Sequence, residues 1–274
     1  MNVTKNHTSI RLLNGRGDVL AVNFLLSIFA CAALLSGCRT SQQESTALTS
    51  EKKQFVSPKT GKTFVYVMAP DTDEEHEPFE IPRGVFVAPS KDNFIGTDRK
   101  AAKISIADGQ VVTHADVGEL LAHLPDTDDN MIHHQPPISK SADSQRLSEE
   151  QQNVLVEAGF IYAIAKEKDN DYHVILGTAP GSSPQFLNVE VSGLPQSGPF
   201  RAPLKQVRDK FQQHLGTVIS GPGYHNFAEN PIPVRITGSL FYDIDHPPGA
   251  VGPTGLKPAT AWEIHPVTDI EFEP

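Results

Sequence analysis

Cysteine is nearly absent from this chain: among 274 residues, only Cys31 and Cys38 carry a thiol. Because no cysteine follows residue 38, the rest of the chain has neither a cysteine nucleophile nor a thiolate ligand for a metal. That part can form no internal disulfide either, even in a compartment that permits one. Any catalytic or metal site there depends on histidines, carboxylates and neutral polar groups.

Positive charge is also scarce. The chain has 23 Lys and Arg against 33 Asp and Glu, a formal net charge of -10 at pH 7. From Val154 onward, eight basic residues stand against thirteen acidic ones. Non-specific binding to nucleic acid relies on Lys and Arg at the phosphates. The charge balance therefore opposes nucleic acid as a partner.

A long apolar run, residues 19–35, follows a basic segment that holds Lys5, Arg11 and Arg16. A positive segment, an apolar stretch and then small residues are the plan of a secretory signal peptide. The run ends in Leu-Ser-Gly followed by Cys38, which resembles the lipobox of bacterial lipoproteins. The alternatives are a membrane-spanning helix, which needs about 20 apolar residues, and a signal peptide cleaved without lipidation.

The lipobox resemblance implies a lipid anchor at Cys38. Its sulfur would be diacylated, the chain cut before it and the new amine acylated, which gives stable attachment because several acyl chains bind a membrane. Arg39 follows the cysteine, where lipoproteins retained at an inner membrane have Asp. We therefore expect a membrane-anchored lipoprotein of the cell envelope, in the outer membrane if the cell has one.

The chain divides into five predicted segments. Residues 1–37 are the signal peptide, and residues 38–53, rich in Ser, Thr and Gln, are a tether. Residues 54–124 read as a small, poorly ordered module that contains β-strands. Residues 125–150 are polar and contain Pro, which predicts a linker. Residues 151–274 are the best patterned and predict a separate domain.

That last segment has the pattern of a small barrel. Apolar alternation predicts strands, and one apolar stripe of helical period predicts a helix. In chain order these are strand 154–165, strand 172–176, strand 186–191, helix 203–216, strand 234–242 and strand 262–272. This is the element order of an OB-fold, a five-stranded Greek-key barrel. The sequence thus predicts a mainly β protein with a C-terminal OB-like barrel, preceded by a poorly ordered N-terminal region.

Polar side chains alternate with apolar ones on three of these strands. Because alternate residues point to opposite faces of a strand, the polar set is expected on the outer face of the barrel. The loop between the fourth and fifth strands adds further polar residues, and OB-folds bind ligands at such a loop and face. The candidate binding or catalytic residues are His173, Glu190, Asp243, His246, Glu263 and His265.

The same residues carry a second resemblance. Residues 238–243 (GSLFYD), His246 and residues 263–267 (EIHPV) are similar to the ending of a widespread group of uncharacterised bacterial proteins, many of them secreted. Residues 171–176 (DYHVIL) look like a strand of that group. The resemblance covers residues 154–272 and departs from the group at Pro247 and Pro248. It implies a shared domain and site but no particular reaction.

Several functions fit these residues. The histidines suit surface hydrogen bonding, a binding face, a metal-free hydrolytic site, or a divalent metal held by His173, His246 and His265. No complete catalytic motif is present. We therefore predict a non-enzymatic module that binds an oligosaccharide, a peptide or another envelope protein. The alternative is a metal-dependent hydrolase that uses these histidines with Glu190 or Glu263.

Overall fold

The structure, a computed structural model, describes part of the chain. The described residues are 51–71, 73, 92–215, 219 and 223–273. The predicted signal peptide, Cys38 and most of the predicted tether lie outside them. Within the described residues, no helix combines the length and the hydropathy that a membrane crossing requires.

The described residues form nine strands and four helices. The strands are β1 Lys52–Val56, β2 Thr63–Ala69, β3 Val111–Asp116, β4 Asn153–Lys166, β5 Tyr172–Gly177, β6 Phe186–Val191, β7 Tyr224–Asn226, β8 Ile232–Tyr242 and β9 Trp262–Phe272. The helices are α1 Lys100–Lys103, α2 Val117–Ala122, α3 Asp128–Ile132 and α4 Arg201–Leu215.

Five of the strands close into a barrel. Hydrogen-bonded neighbours follow the order β4-β5-β6-β9-β8, and β8 pairs back onto β4. These pairs are antiparallel except β6 with β9, which is parallel. The helix α4 lies between the third and fourth barrel strands along the chain. The predicted mainly β fold with an OB-like barrel and one barrel helix is confirmed.

Strand β4 closes the barrel because it is long and irregular. It has 14 residues, and its pairing shifts register with β8 between Val156 and Gly159 and with β5 between Ile161 and Ala163. Extra residues of this kind bend a strand and increase its twist. The first half of β4 therefore follows β8 and the second half turns to follow β5.

The apolar parity read from the sequence defines the barrel core. Val174, Val189 and Ile264 are fully buried in one hydrophobic cluster. Helix α4 packs against β9 and β6, and three residues of its apolar stripe, Val207, Phe211 and Leu215, belong to the same cluster. Phe211, with its ring centroid 5.2 Å from that of Tyr172, lies in the middle of this contact.

The N-terminal strands enlarge the barrel sheet. β1 and β2 form an antiparallel hairpin, β2 pairs with β7, and β7 pairs with β4. β3 runs parallel to the first half of β4. These strands therefore add to the barrel sheet and share its hydrogen bonding.

Residues 125–150, predicted to be a linker, pack against the barrel. Met131 of α3 is fully buried, and the Trp262 indole nitrogen donates to the Asp126 carbonyl at 2.9 Å. The buried Arg146 guanidinium donates to the His265 carbonyl at 2.5 Å. Composition predicted a free segment because it is polar, but here the polar groups bond to barrel backbone.

Candidate metal centre

The six candidate side chains lie together and are all buried. Each residue is 7% exposed or less: His173, Glu190, Asp243, His246, Glu263 and His265. The four on strands, His173, Glu190, Glu263 and His265, have the predicted parity, because their apolar neighbours belong to the barrel core. The candidates therefore lie on the outer side of the barrel wall, but they do not form an exposed surface.

The prediction of an exposed binding face is wrong because other parts of the chain cover it. The Lys103 ammonium of α1 lies 3.3 Å from the Asp243 carboxylate, and the Asp73 carboxylate lies 4.0 Å from His173 Nδ1. Arg146 covers His265 from the backbone side. Two of these three residues, Asp73 and Lys103, lie far from the barrel in sequence.

Glu190 is at the centre of the cluster. Strand pairing places it opposite His173, and its Oε1 lies 3.0 Å from His173 Nε2. Its Oε2 lies 3.0 Å from His265 Nδ1. Asn188, two residues earlier on the same face, donates Nδ2 to Glu190 Oε1 and to Glu263 Oε2, both at 2.9 Å. The register of β5, β6 and β9 thus gathers these side chains around one carboxylate.

The loop after β8 supplies the remaining pair. The His246 amide donates to the Asp243 carbonyl at 3.2 Å, and the Asp245 amide donates to Asp243 Oδ1 at 2.8 Å. This turn brings His246 Nδ1 within 3.1 Å of Asp243 Oδ2. The His246 ring is edge-on to that of His173, with centroids 5.3 Å apart. The loop therefore adds one carboxylate and one imidazole to the Glu190 cluster.

The cluster has the donor set of a metal site. Glu190, Asp243, His246 and Glu263 each offer one ligand atom, and these four atoms lie within 4.8 Å of one another. His173 forms an overlapping group with Glu190 and His246. His265 falls in a different group, with Asp171 and Glu190. The three predicted histidines therefore do not converge on one point.

Two buried carboxyls in the cluster, Glu263 and Asp171, have raised pKa values. Burial, and then the neighbouring Glu190, raises the pKa of Glu263 to about 7. Burial, and then Asp169, raises the pKa of Asp171 well above its ordinary value. Both shifts favour the uncharged form because several negative groups share a site with little water. Burial opposes charge on Glu190 and Asp243 as well, but His173 beside Glu190 and Lys103 beside Asp243 outweigh it and lower the pKa of each carboxyl.

Two imidazoles of the cluster have raised pKa values because carboxylates lie beside them. Burial by itself lowers the pKa of His246, but the adjacent Asp243 outweighs it and raises the pKa to about 9. Burial likewise opposes charge on His265, yet Glu190 beside it helps to raise its pKa to about 10. In both cases protons neutralise carboxylates. A divalent cation would supply the same positive charge.

A small cavity adjoins these donors. Asn188, His246, Glu263 and Trp262 are among the residues that line it. The space open to the centre of a water molecule is about 10 Å³, close to the room that one water needs. The Asn188 Oδ1 atom is buried with no hydrogen-bond partner among the described residues. An unpaired buried oxygen is costly, so its position favours a bound water or ion.

Sequence reasoning missed several members of the cluster. Asn188 shares the parity of Glu190, and Asp171 shares that of His173, so the same alternation could have found both. Asp73 and Lys103 had no such signal, because no pattern connects them to the barrel strands.

Comparisons with known proteins add nothing to the site. No family model matches this chain, and no curated protein or solved structure matches it either. A function for this cluster is therefore proposed from its geometry alone.

Proposed function

We propose that this protein is a lipid-anchored envelope protein whose barrel domain binds one divalent metal ion. The ligands are Glu190, Asp243, His246 and Glu263. The observation that carries the proposal is the convergence of their four ligand atoms within 4.8 Å at a buried position. Buried carboxylates are either paired or bind a metal, and Asn188 Oδ1 beside them has no hydrogen-bond partner among the described residues.

The donor set indicates the class of metal. Three carboxylates and one imidazole suit Zn²⁺ or Mn²⁺, because carboxylates favour Mn²⁺ and imidazole favours Zn²⁺. Asn188 supports the ligands, because its amide nitrogen holds both Glu190 and Glu263. Such supporting hydrogen bonds orient metal ligands.

A Glu263→Gln substitution tests whether the cluster binds a metal or is only a network of ion pairs. Since Glu263 has a pKa of about 7, glutamine resembles its protonated form and the variant is expected to fold. Loss of one ligand should weaken Zn²⁺ or Mn²⁺ binding by more than about 100-fold. The measurement is metal content of the purified chain together with calorimetric titration of each ion.

The control is Glu157→Gln, because Glu157 lies on the exposed part of β4 and bonds to Arg235. It should leave metal binding unchanged. Protons compete with metal for the ligands, so affinity should rise as pH rises through about 7 and about 9, the pKa values of Glu263 and His246. Equal metal binding by wild type and Glu263→Gln would exclude this centre.

The predicted hydrolase, built on His173, His246 and His265, would have to use the Glu190, Asp243, His246 and Glu263 centre, because the three histidines do not share one point. A larger groove of about 560 Å³ lies nearby, lined in part by Leu121, Asp126 and Thr260. Thr260 also lines the small cavity beside His246. That cavity has room for one water but for no substrate, so hydrolysis would require the loop to open. Metal binding requires no such movement, and we therefore prefer it.

The envelope location rests on the sequence around Cys38. The basic, apolar and small-residue segments support export, and the lipobox resemblance supports acylation. The membrane, reached through this anchor, is the first partner we propose. An oligosaccharide, a peptide or another envelope protein would have to bind at a surface other than the buried candidates.

A Cys38→Ser substitution tests the anchor. Serine has no thiol, so the protein should remain unprocessed or leave the membrane fraction, and labelled palmitate should not be incorporated. Cys31→Ser is the matched control, because residue 31 lies within the segment to be removed; it should leave lipidation intact. Palmitate uptake and normal fractionation of Cys38→Ser would contradict the lipoprotein assignment.

A further inference from the structure

A second cluster of metal-type ligands lies outside the five barrel strands, at β3 and α2. It consists of His114 on β3 and of Glu119 and His123 at α2. One ligand atom from each lies within 4.8 Å of the others. Residues 119 and 123 are four apart, so the helix places them on one face, while His114 approaches from the preceding strand.

His114 is unusual for its position. It is the one buried residue of β3, only 4% exposed, whereas Val111 and Val112 on the same strand are largely exposed. Its Nε2 atom is buried and has no hydrogen-bond partner among the described residues. A buried ring nitrogen left unpaired costs free energy. The strand thus buries a polar group in a place where an apolar side chain would pack without that cost.

The other two side chains are held by backbone hydrogen bonds. Glu119 Oε2 accepts from the Ala115 amide at 2.5 Å, which leaves Oε1 for another partner. His123 Nδ1 lies 2.8 Å from the Glu119 carbonyl, so this nitrogen is the donor and Nε2 keeps its lone pair. The rings of His114 and His123 are 6.1 Å apart at their centroids. Local structure therefore orients both groups before any ligand binds.

We propose that His114, Glu119 and His123 bind one Zn²⁺ ion at the protein surface. Two imidazoles and one carboxylate are a three-ligand set that leaves a fourth position for water or for a ligand from solution. Glu119 and His123 are exposed, so the ion exchanges with solvent. This site is independent of the buried centre and shares no residue with it.

The test is a Zn²⁺ titration of the full purified chain, with metal content measured in parallel. His123→Gln removes one ligand from an exposed position, so the fold and the thermal midpoint without metal should be unchanged. The variant should bind one Zn²⁺ fewer per chain, or bind that ion at least about tenfold more weakly.

The chain offers a matched control. His133 follows α3 as His123 follows α2, and its Nδ1 also lies 2.8 Å from the carbonyl four residues earlier, Asp129. It has the same local geometry without His114. His133→Gln should therefore leave Zn²⁺ binding unchanged. The proposal fails if His123→Gln binds Zn²⁺ as wild type does, or if His133→Gln loses the same ion. Glu263→Gln should retain this site, which separates it from the buried centre.

Discussion

An Arg99→Ala substitution is expected to lower the free energy of unfolding by about 3–5 kcal/mol, because it leaves Glu150 buried without its partner. The guanidinium makes two parallel bonds to that carboxylate, at 2.7 and 2.8 Å. It also donates to the Tyr242 carbonyl at 3.1 Å and lies 4.6 Å from the centroid of the Phe241 ring. Glu150 itself is fully buried.

Arg235→Ala is the control for Arg99→Ala. Arg235 also pairs with a carboxylate, Glu157, at 3.0 Å, but both side chains are more than one third exposed. Such a surface pair contributes about 1 kcal/mol or less, and its loss should shift the urea midpoint little. If Arg99→Ala lowers the free energy of unfolding no more than Arg235→Ala does, the Arg99–Glu150 pair does not hold residues 99–150 against the barrel.

A Phe211→Ala substitution should cost about 3–5 kcal/mol, because truncating a fully buried phenylalanine removes apolar contact and leaves a cavity. Phe211 is fully buried between α4 and the barrel, beside Tyr172 and Phe272. Equilibrium urea unfolding, followed by circular dichroism, measures the change.

Gln213→Ala, on the exposed side of the same helix, is the control for Phe211→Ala. It changes helix propensity by only a few tenths of a kcal/mol and should be nearly neutral. A near-neutral result for Phe211→Ala as well would mean that α4 does not contribute to the barrel core.

The barrel could be predicted because the apolar alternation that marks each strand lies within that strand's own sequence. In β9, Trp262 and Ile264 alternate with Glu263 and His265, and this alternation alone assigns each side chain to a side of the strand. The irregular pairing around Pro266, where the register of β8 and β9 shifts, also follows from its missing amide hydrogen. Element order then favoured the OB topology.

The burial of the outer face could not be predicted in the same way. Alternation tells which side of a strand a residue occupies but not what lies against that side. Its neighbours in the sequence suggest a surface position for His265, yet the residue is fully buried, and Arg146, more than a hundred positions earlier, bonds to its carbonyl. Residues 125–150 were predicted to be a linker because they are polar and show no apolar stripe. In the structure their polar groups bond to the barrel, which composition alone does not reveal.

The contacts between residues 99–150 and strands β8 and β9 have a consequence for the order of folding. A chain is synthesised from its N-terminus, so Arg99 and Arg146 emerge long before Tyr242 and His265, which they contact. Contacts of such sequence separation form late and leave early segments without partners. We expect the barrel strands to assemble first and residues 99–150 to close over them last. The ion that we propose for the Glu190, Asp243, His246 and Glu263 centre would have its easiest entry during that interval.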